Sequence, residues 1–171
     1  MTIFPDDLME KARQILTVCR SLHLRLASAE SCTGGLIMGL LTEFAGSSDV
    51  VERGFVVYSN QAKADMLDVP QALLETHGAV SEPVARAMAE GARHVAKTEL
   101  AVSVTGIAGP GGGTKTKPVG LVHLACAAKS LDTLHRREIF SGDRSHIRLL
   151  SIGVALDLLL LQADRLSLGG P

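Results

Sequence analysis

The most constraining feature of the sequence is a local pattern in which a short apolar run ends in a polar, glycine-containing turn. Arg25 to Glu30 is such a run, and it is followed by Ser31-Cys32-Thr33-Gly34-Gly35 and by a helical pattern from Leu36 to Leu41. Leu100 to Val104 is another, and it ends at Thr105-Gly106 before a glycine-rich stretch. Buried strands that alternate with helices are typical of an α/β domain with parallel strands.

The other segments predict the same class of fold. A strand at 54–58 is followed by Asn60, a plausible cap for a helix through Leu67. A strand at 120–127 and an alternating, half-exposed strand at 133–140 predict an antiparallel pair. We therefore expect a three-layer α/β/α sandwich with a mixed, mostly parallel sheet of about five strands. The length of 171 residues suits one domain over 1–171, which would bury roughly 70 % of its extended-chain surface.

Composition excludes several classes of function. The chain has 17 Lys and Arg residues against 18 Asp and Glu residues, and aromatic residues make up 3% of it, so we expect no nucleic-acid partner. The longest apolar stretch, Ile152 to Leu161, contains Asp157 and is too short to span a bilayer, so no membrane association is expected. Three unpaired cysteines and no visible signal peptide indicate a cytoplasmic protein, and the six histidines lack metal-ligand spacing.

Three polar turns follow three of the predicted strands. They lie around Ser31, from Tyr58 to Lys63, and from Thr105 to Gly113. In open α/β sheets, ligands bind at the carboxyl ends of the strands. If the three strands are parallel neighbours, the turns share one edge of the sheet and form a site.

The turn at Ser31 has two interpretations. The backbone N–H groups of Thr33, Gly34 and Gly35 could bind an anion or a developing oxyanion beside a nucleophilic hydroxyl. Alternatively, Ser31 or Thr33 only caps the helix, which the spacing alone favours because the G-x-S-x-G pattern is absent. Cys32 is the rival nucleophile, although lone thiols are more often core residues.

The remaining candidates also have ordinary alternatives. Lys63 could act as a base if burial keeps it neutral, but most helical lysines are solvated. Tyr58 could donate to a ligand or merely pack. Arg144 lies beside a predicted helix start, where it suits phosphate or carboxylate recognition or a plain salt bridge.

The glycine-rich loop from Gly106 to Gly113 matches neither standard phosphate-binding pattern. Thr114 occupies the second glycine position of a Walker A motif, and Thr116 occupies the third glycine position of a Rossmann motif. With Lys115 and Lys117 beside it, the loop could cradle a phosphate, cover a ligand or have no such role.

Six segments, in order and spacing, resemble the CinA carboxy-terminal domain family from about Leu8 to Leu166. They are Ala29-Glu30-Ser31-Cys32-Thr33-Gly34-Gly35, Ala45-Gly46-Ser47-Ser48, Tyr58-Ser59-Asn60-Gln61-Ala62-Lys63, His77-Gly78-Ala79-Val80-Ser81, Thr105-Gly106-Ile107-Ala108-Gly109-Pro110 with Lys117-Pro118-Val119-Gly120, and Phe140-Ser141-Gly142-Asp143-Arg144. The enzymatic members of this family are nicotinamide-nucleotide amidases. Longer members carry an extra amino-terminal domain, and the resemblance implies nothing about the activity of that domain for this chain.

The resemblance implies hydrolysis of nicotinamide mononucleotide to nicotinate mononucleotide and ammonia, a step of pyridine-nucleotide salvage, without cofactor or metal. It also implies that Ser31 is the nucleophile and Lys63 the base, with Tyr58 assisting. The residues it places at the site as oxyanion or substrate-binding groups are Thr33, Gly34, Gly35, Asn60, Thr105, Gly106 and Arg144.

Two further expectations remain open. A non-catalytic nucleotide-binding or regulatory module, linked to competence or DNA-damage response, is the alternative function; intact Ser31, Lys63 and Tyr58 favour the enzyme. The last helix is apolar beyond evident core needs and could support a homo-oligomer. Its apolar residues are Leu149, Leu150, Ile152, Leu156, Leu159 and Leu160.

Overall fold

The computed structural model describes residues 2–168 and contains one five-stranded sheet between two layers of helices. The strands are β1 (Leu26–Glu30), β2 (Val51–Val56), β3 (Leu100–Gly106), β4 (Leu121–Ala128) and β5 (Leu131–Ile139). The helices are α1 (Asp6–Ser21), α2 (Leu36–Leu41), α3 (Asn60–Leu67), α4 (Gln71–His77), α5 (Glu82–Ala96) and α6 (Arg144–Leu168).

The order of strands in the sheet is β2-β1-β3-β4-β5. β1 runs parallel to both β2 and β3, whereas β4 is antiparallel to its neighbours β3 and β5. Four of the five strands therefore point in one direction, and the predicted mixed sheet and antiparallel β4–β5 pair are confirmed.

Alternating side chains of the central strands build two separate apolar cores. Leu26, Val102 and Val104 face the core shared with α1, α2 and α6, whereas Ala27 and Ala101 face the core beneath α5. The small alanines on the second face allow α5 to approach the sheet closely, and Ser103 Oγ donates to the main-chain oxygen of an α5 residue at 2.6 Å. The predicted three-layer sandwich is thus confirmed.

Helix α6 has the length and apolar composition of a membrane-crossing helix, the one such helix within residues 2–168. It nevertheless packs against α1, β3 and β4, and side chains such as Ile152, Leu156 and Leu159 are fully buried. These side chains belong to the core of this domain, whereas Leu150 and Leu161 of the same helix are exposed.

Two local predictions are wrong. β2 is an edge strand that runs from Val51 to Val56, so it begins and ends earlier than the predicted strand at 54–58. Asn60 does not cap α3: the cap is Ser59, whose extended backbone allows its Oγ to accept a hydrogen bond from the N–H of Ala62 at 3.0 Å.

The topology places the ends of three parallel strands at one edge of the sheet. β1 ends at Glu30, β2 at Val56 and β3 at Gly106, and the register pairs Glu30 with Val56 on one side and Val104 on the other. β4 begins at the same edge because it is antiparallel to β3. The polar turns that follow these strands consequently meet there.

Candidate active site

Ser31 is the first residue beyond β1, at the point where the central strands end. Its N–H donates to the main-chain oxygen of Val104 at 3.0 Å, which ties the turn to β3. Only 9% of the residue is exposed. The sheet therefore holds the Ser31 backbone rigidly while the chain turns towards α2.

Lys63 reaches this turn from the first half of α3. Its Nζ lies 3.3 Å from Ser31 Oγ and donates to the main-chain oxygens of Val57 at 2.9 Å and Tyr58 at 3.2 Å. The residue is only 1% exposed, which is rare for a lysine. The alternative interpretation, in which Lys63 is an ordinary solvated lysine on the surface of a helix, is therefore excluded.

The surroundings of Lys63 favour its neutral form. Among residues 2–168 no carboxylate forms an ion pair with it, and burial lowers its pKa below the usual 10.5. A neutral amine has two N–H donors and one lone pair. The two carbonyls take the donors, and the lone pair then faces the hydroxyl of Ser31, which can donate its proton along this line.

Cys32 is less suited than Ser31 to act as a nucleophile. Burial raises the pKa of its thiol to about 11, although the positive charges of Arg148 and Arg144 lower it slightly. The thiolate is the reactive form of cysteine, and it is scarce at neutral pH when the pKa is this high.

Glu30, which the sequence prediction did not single out, organises the start of α2. Its buried carboxylate accepts hydrogen bonds from Ser28 Oγ at 3.0 Å and from the N–H groups of Gly35, Ile37 and Met38 at 3.0, 3.1 and 3.2 Å. The chain thus supplies its own anion to the positive end of this helix.

The prediction that Gly34 and Gly35 offer free N–H groups is therefore wrong. The N–H of Gly35 is bonded to Glu30, and that of Gly34 donates to the main-chain oxygen of Ser31 at 3.2 Å. Within residues 2–168 the N–H of Thr33 meets no acceptor, and that of Cys32 meets none beyond its own sulfur. Cys32 lines the cavity beside Ser31, so its amide is available to a ligand, whereas Thr33 is fully buried and does not line that cavity.

Arg148, also missed by the sequence prediction, approaches the turn from α6. Its Nε donates to the main-chain oxygen of Cys32 at 3.0 Å, and its Nη2 donates to that of Thr33 at 2.9 Å. Thr33 Oγ1 is the one buried side-chain oxygen or nitrogen of the described residues that lacks a partner. The turn is thus held by main-chain contacts rather than by the hydroxyl of Thr33.

Tyr58 and Arg144 form the mouth of the site. The Tyr58 residue is 65% exposed, and its hydroxyl lies 3.4 Å from Arg144 Nη2. Arg144 Nη1 donates to the main-chain oxygen of Gly109 at 2.8 Å. The hydroxyl of Tyr58 is therefore paired with the arginine, and it is the main-chain oxygen of Tyr58 that contacts Lys63.

Thr105 and Gly106, at the end of β3, form the opposite wall. Thr105 Oγ1 donates to the main-chain oxygen of Ala79 at 2.9 Å and so ties the segment before α5 to the sheet. A Cβ on Gly106 would lie 2.7 Å from Val122 Cγ2 and 2.9 Å from the main-chain oxygen of Leu121. Only glycine therefore fits here without displacing β4.

These groups enclose a cavity of about 200 Å³. Its lining residues are Ser31, Cys32, Tyr58, Lys63, Ala79, Val80, Thr105, Gly106, Ala108 and Arg144. Asn60 is exposed and does not line it. A larger cavity of about 360 Å³ between α1 and α6 contains none of the predicted site residues, so cavity size alone does not locate the chemistry.

The residues missed from the sequence had weak local signals. Glu30 lies between an alanine-rich strand and a serine, where an isolated acid ending a strand is unremarkable. Arg148 lies four residues after Arg144, a spacing that places both arginines on one face of a helix. That spacing could have indicated that Arg148 points towards the same region as Arg144.

No group of three metal-ligating side chains is found within residues 2–168.

Comparison with known proteins identifies a family and several relatives. The family model that describes the CinA C-terminal domain matches residues 8–163 of this chain. The chain is 46% identical over 157 residues to the nicotinamide-nucleotide amidohydrolase PncC of Escherichia coli strain K12, which covers 92% of this chain and 95% of that protein. It is 54% identical over 137 residues to a CinA-like protein of Anaeromyxobacter dehalogenans, of which it spans 33%.

Solved structures give the same result. The competence/damage inducible protein CihA from Agrobacterium tumefaciens superposes with a TM-score of 0.93 at 52% identity, covering 95% of this chain and 99% of that one. A CinA superfamily protein from Klebsiella pneumoniae superposes with a TM-score of 0.88 at 28% identity, covering 92% and 98%. By its sequence, its fold and the domain match over most of its length, the chain belongs to the CinA C-terminal domain family.

Proposed function

We propose that the protein is an amidohydrolase that converts nicotinamide mononucleotide to nicotinate mononucleotide and ammonia by Ser/Lys nucleophilic catalysis. The observation on which this depends most is the buried Nζ of Lys63, which lies 3.3 Å from Ser31 Oγ and has no acidic partner among residues 2–168. The relatedness to the PncC amidohydrolase of Escherichia coli over nearly its full length supports the same substrate.

In the first step, Oγ of Ser31 adds to the carboxamide carbon while its proton moves to the lone pair of Lys63. The carbonyl oxygen becomes negative and accepts a hydrogen bond from the N–H group of Cys32, which lines the cavity. The amide that follows a nucleophilic serine commonly serves in this way, and loss of one such donor costs about 3–4 kcal/mol in comparable enzymes.

In the second step, the carbon–nitrogen bond breaks and Lys63 returns its proton to the departing ammonia. A nicotinoyl ester then links the substrate to Ser31. Neutral Lys63 next takes a proton from water as the water attacks the ester, and it returns that proton to Oγ as nicotinate leaves. The proton thus passes from Ser31 to Lys63 in the first transfer and from Lys63 back to Ser31 in the last.

The charge of the substrate suits this site. The pyridinium ring of a nicotinamide nucleotide is positive, so it disfavours protonated Lys63 beside it and withdraws electrons from the carboxamide carbon. The cavity of about 200 Å³ is below the usual range for a complete small-molecule site, so it takes the pyridine carboxamide. Arg144 at the mouth then meets the phosphate outside it.

We propose that this reaction is a step of pyridine-nucleotide salvage and that it takes place in the cytoplasm. All three cysteines are free and buried, which suits a reducing compartment. No cofactor enters the proposed reaction.

The test is ammonia release from nicotinamide mononucleotide by the wild-type protein, by Ser31→Ala and by Ser21→Ala. Ser21 is an exposed serine at the end of α1 and serves as the matched control. We expect Ser31→Ala to abolish release and Ser21→Ala to leave it unchanged. Acid-quenched wild-type enzyme should carry a nicotinoyl group on the Ser31 peptide in mass spectrometry.

Two outcomes would contradict the proposal. Equal rates in wild type and Ser31→Ala would exclude Ser31 as the nucleophile. Tight binding of the nucleotide without ammonia release would favour the non-catalytic nucleotide-binding module instead.

A further inference from the structure

Arg148 occupies an unusual position for an arginine beside an enzyme site. It extends from the first turns of α6, four residues after Arg144, and directs two donors to the main-chain oxygens of Cys32 and Thr33. No carboxylate within residues 2–168 forms an ion pair with it. Its positive charge therefore acts on the backbone of the turn.

The first contact controls the amide of Thr33. In a planar trans peptide the C=O and the N–H point in opposite directions. Since Arg148 Nε bonds to the oxygen of Cys32, the N–H of the same peptide, which belongs to Thr33, is directed away from the guanidinium. That N–H meets no acceptor within residues 2–168, but Thr33 is fully buried and does not line the cavity, so this contact fixes the turn and supplies no donor to a ligand.

The second contact reaches the amide of Cys32 through two peptides. Arg148 Nη2 bonds to the oxygen of Thr33, and the N–H of that peptide, on Gly34, donates to the oxygen of Ser31 at 3.2 Å. The peptide that contains the Ser31 oxygen also contains the N–H of Cys32. Hydrogen bonds in series polarise one another, so a cation at one end strengthens the free donor at the other.

We propose that Arg148 is a positioning residue that holds the turn and polarises the N–H group of Cys32, so that this N–H stabilises the negative oxygen formed when Ser31 attacks. The inference rests on the proposed function, because it needs Ser31 to be the nucleophile. Arg148 itself touches neither the substrate nor the reacting atoms.

Gly34 makes this arrangement possible. Its φ of +61° is in the left-handed region, and this conformation directs its N–H back to Ser31. A Cβ placed there would lie 3.6 Å from Arg148 Nη2, which is ordinary contact, so backbone conformation rather than space favours glycine at this position.

The experiment compares Arg148→Lys and Arg148→Met with wild type in steady-state hydrolysis of nicotinamide mononucleotide. Lysine keeps the positive charge but can donate from only one nitrogen, whereas methionine removes both the charge and the hydrogen bonds. We expect kcat to fall roughly 10- to 100-fold for Arg148→Met and less for Arg148→Lys, with KM changed less than about threefold. Arg165→Lys, near the other end of α6, is the matched control and should behave as wild type.

A second measurement separates this role from a general loss of structure. The analogue 3-formylpyridine mononucleotide carries an aldehyde in place of the carboxamide. A serine hydroxyl adds to this aldehyde to form a hemiacetal, and the former aldehyde oxygen then occupies the oxyanion position. Its affinity should fall by the same factor as kcat in each variant. The affinity for the product, nicotinate mononucleotide, should stay within about threefold of wild type.

The outcomes are distinguishable. The inference would be overturned by an unchanged kcat in Arg148→Met, or by equal losses of affinity for the aldehyde analogue and for the product. In either case an inactive Ser31→Ala variant would still support the proposed function. If wild-type enzyme releases no ammonia, or if Ser31→Ala remains active, the proposed function fails and the role of Arg148 fails with it.

Discussion

Lys63 Nζ and Ser31 Oγ lie 3.3 Å apart although 32 residues separate them in the sequence. They belong to different elements, since Ser31 follows β1 and Lys63 lies on α3. What joins them is the parallel pairing of β1 with β2, which brings the turn after each strand to the same edge. The distance is that of a hydrogen bond which can transfer a proton in either direction.

The pH dependence of the reaction should report the titration of Lys63. Burial lowers the pKa of Lys63 below 10.5, and only the neutral amine can accept the proton of Ser31. We therefore expect kcat/KM to rise with pH through a midpoint below the ordinary lysine value. Lys63→Met should lower kcat by about 10³-fold or more, with a circular dichroism spectrum like that of wild type. A rate in this variant close to wild type would exclude Lys63 as the base.

Glu30→Gln should destabilise the turn that holds Ser31. The carboxylate accepts four hydrogen bonds, whereas an amide would direct its NH₂ group at backbone N–H donors and leave buried groups unpaired. We expect a loss of about 3 kcal/mol in the free energy of unfolding, measured in urea. Glu43→Gln, at an exposed glutamate, is the control and should change stability by less than about 0.5 kcal/mol. Equal stability of the two variants would contradict this account of Glu30.

Tyr58 and Arg144 should act together in binding the substrate. Their side chains lie 3.4 Å apart at the mouth of the cavity. We expect Tyr58→Phe and Arg144→Lys each to lower kcat/KM by about 10-fold, mainly through KM, because each removes a contact near the phosphate. The double variant should lose less than the sum of the two free energies. Strict additivity in this double-mutant cycle would show that the two side chains act independently.

His123 should make the folded state sensitive to acid. Burial and the neighbouring His135, whose Nε2 lies 3.0 Å from His123 Nδ1, lower the pKa of His123 to about 4. The unfolded chain, with a histidine pKa of 6.5, then binds more protons than the native state between pH 4 and 6.5. Stability should therefore rise with pH through this window.

The measurement is urea unfolding at several pH values for wild type, His123→Gln and His94→Gln. His94 is an exposed histidine on α5 and provides the matched control. His123→Gln should flatten the rise in stability between pH 4 and 6.5. A slope in this variant equal to that of wild type would show that His123 is not the titrating group.

The sequence predicts the elements where local chemistry is strong. The helix after β2 ends at Leu67 as predicted, although it begins one residue earlier because Ser59 is its cap. β3 is found as a buried strand where five consecutive apolar or small residues, 100–104, predict one. β2 is predicted less well because an edge strand with half-exposed residues lacks a clear alternation. The cap at Ser59 was missed because adjacent polar residues, Ser59 and Asn60, are both good caps, and only the backbone conformation separates them.

The sequence by itself determined the chemical groups that this protein has available: a serine in a glycine turn, a lysine on the following helix, and an arginine at the start of the last one. It also determined, through its motifs, the family to which the chain belongs. The packing of distant segments was needed to show that Lys63 is buried with no acid beside it among the described residues. It was also needed to show that Glu30 binds amides at the start of α2 and that Arg148 donates to two carbonyls of the turn. The physical reason is that burial and hydrogen bonding between distant residues depend on the order of strands in the sheet, which no local pattern specifies.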